Sequence, residues 1–311
     1  MEQLASFLAA SMRMAAPLLI AALGLAISER AGMINIGAEG VMLMGAFSAY
    51  AGAKLIGSYW AGMGIAIIVS VLMISIFAIT TITFRAEQVV VGAGINILCA
   101  GLSSVVYRKL FYGGFEGIAS TTITVKTFPE LPIPGLSQIP VLGPMLFNHN
   151  IVVYFGLVMV VVLWFIINKT SLGLKLIAVG EHPKAADSLG IDVIKLRYLA
   201  TLFSGIMIGI AGAYLSIAQS NAFAENMTSG RGFIAMAVVI LGKWSPIGIF
   251  AGSLLFGGAN SLQMSIQNLG ITIPRNFVLM IPYIATVLAV VAVSKNKVGA
   301  PSAQGIPYRK A

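Results

Sequence analysis

The chain has 311 residues, of which 58% are hydrophobic and 9% charged, with a net charge of +9. The charged share lies far below the ~25% usual in soluble domains, which excludes a water-soluble globule. In so apolar a chain the basic balance points to anchoring against anionic lipid, and not to nucleic acid.

Uncharged apolar runs of about 18 or more residues read as bilayer spans, because about 20 helical residues cross the hydrocarbon core. In chain order, spans are predicted near Leu4–Ser28, Met33–Ala53, Ala61–Phe84, Gln88–Tyr107, Ile151–Ile167, Tyr198–Ala218, Gly232–Leu241, Pro246–Ile266 and Pro274–Val293. The fold class is therefore an all-α polytopic membrane protein of about 8–9 transmembrane helices, forming one transmembrane unit over the chain. Gly232–Leu241 is too short to cross alone, rising only about 15 Å, and is read as re-entrant or joined to its neighbour. The N-terminal stretch lacks the short apolar core and small-residue site of a cleaved signal, so the first span is read as retained. The single cysteine, Cys99, lies inside a predicted span and offers neither a disulfide nor a metal cluster.

Polar residues interrupt this pattern in three places. In "SERAGMINIGAEG", residues 28–40, Glu29, Arg30, Asn35 and Glu39 stand beside Gly32, Gly37 and Gly40. Glycine and charge are both costly inside a lipid-facing helix, so the pattern suits a broken helix lining a cavity. Glu29 and Arg30 read as interfacial, paired or hydrated; Asn35 and Glu39, deeper in the span, are candidates for the substrate path. Asn96, in "VGAGINILCAG", is a further candidate, with an inter-helix hydrogen bond the competing use. Phe233 opens "GFIAMAVVIL" and is a candidate to stack on a planar base, though packing or lipid contact is the commoner use of such a ring. The glycine-punctuated regions 31–45 and 230–242 lie in opposite halves, the usual pointer to a transport site between repeats. The small-residue pairs Gly205/Gly209 and Gly248/Gly252 predict close helix packing, within the chain or against another subunit.

The loops set the orientation. Residues 168–197 carry Lys169, Lys175, Lys184, Lys195 and Arg197, and the tail 295–311 carries Lys295, Lys297, Arg309 and Lys310. The positive-inside rule places both segments in the cytoplasm. Arg85, Glu87 and Lys243 follow by alternation, and the proline-rich loop 108–149 falls outside, as does the N-terminus by parity. The Asn-x-Thr triplets at Asn168 and Asn226 carry little weight as glycosylation sites.

Within the basic segment, "VGEHPKAADSLGI" predicts a two-turn helix. Pro183 suits its first position and Gly190 the left-handed residue that ends it. Ala185, Ala186 and Leu189 would form a small apolar face. So short a helix is unstable alone in water, so it either lies flat on the protein or docks a partner.

Residues 173–216, "GLKLIAVGEHPKAADSLGIDVIKLRYLATLFSGIMIGIAGAYLS", resemble the cytoplasmic loop and following span of ABC-importer permeases of the branched-chain amino acid, ribose and nucleoside group. "ISERAGMINIGAEGVMLMGAFSAY" and "GRGFIAMAVVILGKWSPIGIFAGSLLFG" are similar to the nucleoside branch in particular. The resemblance implies a type II importer-like bundle with one permease domain in the cell membrane. It implies that Gly180, Glu181, His182, Ala185, Ala186, Gly190 and Ile191 couple to a cytoplasmic ATPase. Many relatives have Asn at the position of His182, which puts a capping role there in doubt. A second, non-identical permease and an external binding protein or lipoprotein are the further partners implied, and nucleosides the substrates, with sugars or branched-chain amino acids as the alternative.

The chain carries no phosphate-binding P-loop; "LGKWS" at 241–245 lacks the upstream glycine and the following hydroxyl. His149 and His182 are the only histidines, on opposite predicted sides. No catalytic residue, metal site or cofactor is expected, and hydrolysis is expected in a separate subunit. The alternative from another class is an ion-coupled secondary transporter, with Glu39 as its one good buried acid; a non-transporting scaffold is a third possibility.

Overall fold

The computed structural model describes residues 2–111, 127–137, 139–268, 280 and 299–309. The long helices within this range are α1 (Glu2–Arg30), α2 (Ala38–Ile56), α3 (Tyr59–Ala78), α4 (Gln88–Phe111), α6 (Ile151–Lys169), α9 (Val193–Tyr214) and α11 (Pro246–Asn268), with the short α5 (Leu142–Leu146) preceding α6. Between α6 and α9 lie α7 (Ser171–Glu181) and α8 (Pro183–Ser188), and α10 (Arg231–Leu241) precedes α11. Five helical stretches are long and apolar enough to cross a membrane: Leu4–Arg30, Tyr59–Thr83, Gln88–Phe111, Ile151–Lys169 and Val193–Gln219. The helix α2 is of spanning length but carries glycine, serine and charge, and is buried along nearly its whole course. The expected span Pro274–Val293 lies outside the described residues.

Local signals explain most boundaries. The side chain of Asn150 accepts from the Val153 N–H, and that of Asp192 from the Lys195 N–H, so each caps the start of its helix. Five-residue π turns, Ile79–Thr83 and Leu215–Gln219, continue α3 and α9 at their ends. The span expected from Met33 starts five residues late, at Ala38, because residues 31–37 form turns. Gly32 adopts φ +87° there, a conformation that ends α1 and suits glycine. The helix α7 was not expected; Thr170 caps it by accepting from the Gly173 N–H.

The bundle centres on α1, α2 and α9. Ile20, Leu23, Met42, Ala46, Ile208 and Tyr214 are among its fully buried side chains. The Gly205/Gly209 pair serves packing inside the chain: Gly209 faces Ser70, and Gly205 faces Ile74, both on α3. Gly248 likewise abuts Gly242 of the same chain. In the loop before α6, β1 (Glu130–Pro132) pairs antiparallel with β2 (Asn148–Asn150), Leu131 opposite His149.

The two segments that the charge pattern assigns to one side of the membrane gather at one end of the bundle. Residues 302–308 touch α7, α9 and the turn after α1.

Candidate functional site

The break between α1 and α2 lies in a cradle built by one face of α4. Gln88, Gly92 and Asn96, spaced by four, fall on the same side of that helix. The side-chain oxygen of Gln88 accepts from the Ile34 N–H at 2.7 Å. At Gly92 a Cβ would lie 2.8 Å from the Gly37 nitrogen, so only glycine lets the backbones approach. Asn96 accepts from the Gly40 N–H at 2.7 Å and donates to the Ile36 carbonyl at 3.0 Å. Asn96 thus supplies from another helix the cap that Gly37 cannot give to α2.

Glu39 ties this junction to α10. Its two carboxylate oxygens accept from the Gly230 N–H at 2.8 Å and the Gly232 N–H at 2.6 Å. A carboxylate at a helix N-terminus meets both the free amides and the positive end of the dipole. Gly232 is pressed so close that a Cβ would lie 2.5 Å from the Glu39 Cα. The two glycine-punctuated regions therefore meet, with Glu39 as the joint. Asn35 sits in the turn beside them, fully buried, and among the described residues neither its amide nitrogen nor its oxygen has a hydrogen-bond partner. Phe233 lies on the first turn of α10 with its ring 47% exposed, directed out of this chain's own core.

Away from this junction, Phe223 packs with Phe47, Tyr50 and Tyr107 in edge-on or tilted contacts. Glu225 accepts from Arg108 at 2.7 Å and from the Ser104 hydroxyl at 2.7 Å. The segment from Phe223 to Gly230 thus runs along α2 and α4 before α10 begins.

The end of α1 forms a second cluster. Glu29 is 2% exposed; its Oε2 accepts from the Trp244 indole N–H at 2.6 Å and from the Gln304 amide at 3.0 Å. Arg30 donates to the Trp244 carbonyl at 3.0 Å. Both residues are paired, and both grip the turn between α10 and α11, where Lys243 and Trp244 take positive φ. The sequence did not show which partners these are, because they lie more than 200 positions away.

The expected coupling residues lie together on α7, α8 and the turns that flank α8, but they face different ways. Gly180 is buried against the Arg30 carbonyl, where any side chain would collide. Glu181 accepts from the Ser302 amide and hydroxyl. His182 is exposed, and its side chain makes no capping bond. Ala185 is exposed, whereas Ala186 is buried with Val179, Val193 and Tyr308. Ile191 packs against that same cluster, and Gly190 ends the helix with φ +79°. The three-residue apolar face expected from sequence is thus divided: Ala186 points inward, and Leu189, 81% exposed, points out.

Sequence reasoning missed Gln88, Trp244, Gln304 and the structural use of Arg197. The four-residue spacing of Gln88, Gly92 and Asn96 was a usable signal for the first. The others depend on long-range contacts.

Residues 7–290 match the family described as "Branched-chain amino acid transport system / permease component". The chain belongs to that family. It is 40% identical over 308 residues to the guanosine ABC transporter permease protein NupQ of Bacillus subtilis, covering 95% of this chain and 94% of the relative. It is 38% identical over 276 residues to the putative glucose ABC transporter permease protein TsgC13 of Haloferax volcanii, covering 88% and 81%. It is 35% identical over 303 residues to the nucleoside ABC transporter permease protein NupC of Lactococcus lactis, covering 94% and 93%. A second Bacillus subtilis guanosine permease protein, NupP, matches more distantly, at 26% identity over 266 residues, covering 83% and 74%. No solved structure matches. This permease is a multi-pass plasma-membrane protein and a transport subunit, not an enzyme. ATPase and substrate-binding partners come with the family, and membership decides against the ion-coupled and scaffold alternatives.

Proposed function

We propose that this permease and a second, non-identical permease form the path by which an ATP-driven importer takes up nucleosides. The single observation that carries the substrate reading is Asn35, a fully buried carboxamide beside the α2–α10 junction with both polar atoms unpartnered among the described residues. A buried unpaired amide is costly unless something pairs with it part of the time. A carboxamide offers a donor and an acceptor side by side, which suits the hydrogen-bonding edge of a neutral base.

The relatives named for guanosine and nucleosides support this chemistry. The relative named for glucose favours a second reading, since a sugar diol would also satisfy Asn35. Asn96 and Glu39, already engaged by backbone, would set the shape of the path; Phe233 would offer a ring to the base. For the second permease, two observations count. Two guanosine permease proteins of one organism both match this chain. The helix α4 buries only 22% of its most apolar stretch within this chain, leaving surface for a neighbour or lipid.

The basic end of the bundle would face the cytoplasm, with the outward side chains of α8, Ala185 and Leu189, docking the ATPase. An uptake panel with labelled guanosine, glucose and leucine tests the substrate class. The reading expects guanosine uptake that unlabelled inosine competes and glucose does not; preferential uptake of glucose would replace it with the sugar reading.

A further inference from the structure

We infer that residues 302–308 form a strap that carries ATPase-driven movement from α8 to the α1–α2 break and α10. The inference rests on the reading of α8 as the docking element.

The segment "SAQGIPY" has little regular structure of its own, yet almost every residue is fastened to a different part of the bundle. Ser302 donates its amide and hydroxyl to Glu181 at the end of α7. Ala303 donates its N–H to the Gly180 carbonyl at 2.8 Å. Gln304 donates to the buried carboxylate of Glu29 on α1, the same oxygen that holds the Trp244 indole. Gly305 donates to the Gly32 carbonyl in the break at 3.0 Å, and its φ of +76° suits glycine. The Ile306 carbonyl accepts from Arg197 on the second turn of α9 at 2.9 Å. Tyr308 is buried against Ala186, Val179 and Val193, the small cluster that seats α8.

The order of these contacts matters. Tyr308 reads the position of α8; two residues on, Ile306 is held by α9; Gly305 and Gln304 then fasten the break and the end of α1. Through Glu29 and Trp244 the path reaches the turn that follows α10, and through α10 it reaches Glu39. Arg197 is 2% exposed and pairs with no carboxylate among the described residues, so the strap's carbonyl is a main polar contact for that buried cation. A packed, hydrogen-bonded chain of this kind is a physical means of passing a displacement between two sites. A purely local cover for α8 would need only Tyr308. Direct contacts between α8 and α9, and between Gly180 and Arg30, offer a competing route, so the strap's share must be measured.

The test uses the assembled complex of both permeases, the ATPase and the binding protein in proteoliposomes, with labelled guanosine as probe. Two variants are compared with the parent: a chain ended after Val298, and the full-length double variant Gln304→Ala, Tyr308→Ala. The expected result is an ATPase that stays bound and hydrolyses ATP, while guanosine moved per ATP falls about tenfold or more, the scale of an ordinary coupling energy. Unchanged guanosine per ATP in the double variant overturns the strap. So does loss of the ATPase from the complex, which would make these residues part of the docking surface instead. If the shortened chain does not assemble, the double variant decides alone. Failure of the underlying reading looks different: the ATPase would then remain bound when Ala185→Asp and Leu189→Asp are combined, whatever the strap variants do. Should the parent take up no guanosine, the substrate reading fails and the same coupling comparison is made with glucose.

Discussion

Replacing Asn96 with alanine removes one acceptor and one donor from the break between α1 and α2. The Gly40 N–H and the Ile36 carbonyl lose partners at 2.7 and 3.0 Å. Each buried backbone group left unpaired costs about 1–3 kcal/mol. Partial relaxation and water entry lower the sum, so a loss of about 2–4 kcal/mol is expected for the pair. For a chain of 311 residues that corresponds to a fall in Tm of roughly 3–6 °C. Cys99, the chain's one cysteine, is fully buried one turn from Asn96 and provides the assay. A thiol-reactive dye that fluoresces on coupling reports the temperature at which α4 exposes it in the purified permease. Asn96→Asp keeps the acceptor and loses the donor, so it should fall between parent and alanine variant. A Cys99 transition in Asn96→Ala within a degree or so of the parent's would refute the claim that Asn96 holds the break.

Three further outcomes separate residues that build the site from those that meet solute. Asn35→Leu should leave the Cys99 transition unchanged or raised, because an unpaired buried amide is replaced by an apolar group, while the concentration for half-maximal guanosine uptake rises; a large loss of stability would make Asn35 structural. Glu39→Gln should destabilise by about 1.5–3 kcal/mol through the weakened charge-assisted bonds to α10, read by the same dye. The Arg108 hydrogen bond holds the Glu225 carboxyl below the usual carboxylate range, and that of Ser104 adds to it. Its stabilisation is therefore present above the ordinary carboxylate pKa and lost as pH falls through the depressed value. For so exposed a pair, 43% and 39% by side chain, solvent screening keeps the effect small, so Glu225→Gln should shift the transition by no more than a few degrees at neutral pH.

Much of this arrangement was legible in the sequence, for reasons that differ from element to element. The helices α3, α4 and α6 are runs of apolar residues with polar ends, and lipid selects for nothing else. The break at 31–37 announced itself because glycine and polar side chains together are too costly for a lipid-facing helix. The contact between that break and the start of α10 was foreshadowed by their matching glycine patterns. Direction was the part that could not be read. Ala185 and Ala186 are adjacent and chemically identical, yet one faces out and the other is buried under Tyr308, a residue more than 100 positions away. The partners of Glu29, Trp244 and Gln304, could not be read because they are distant in sequence. Residues 302–308 carry no hydrophobic period at all; their structure comes entirely from what they fasten. The helix α7 was missed because Gly173, Lys175 and Gly180 dilute its apolar pattern, and it packs against α6 and α8 as well as the end of α1.

The central claim is that energy enters this permease through the exposed side of α8. The most direct measurement is the amount of ATPase that co-purifies with the complex when Ala185→Asp and Leu189→Asp are introduced together, with Ala186→Asp as a control for damage to the fold. The double variant should fold, shown by an unchanged Cys99 transition, and lose the ATPase along with ATP-dependent uptake. A double variant that retains the ATPase at the parent's ratio and still transports would contradict the account.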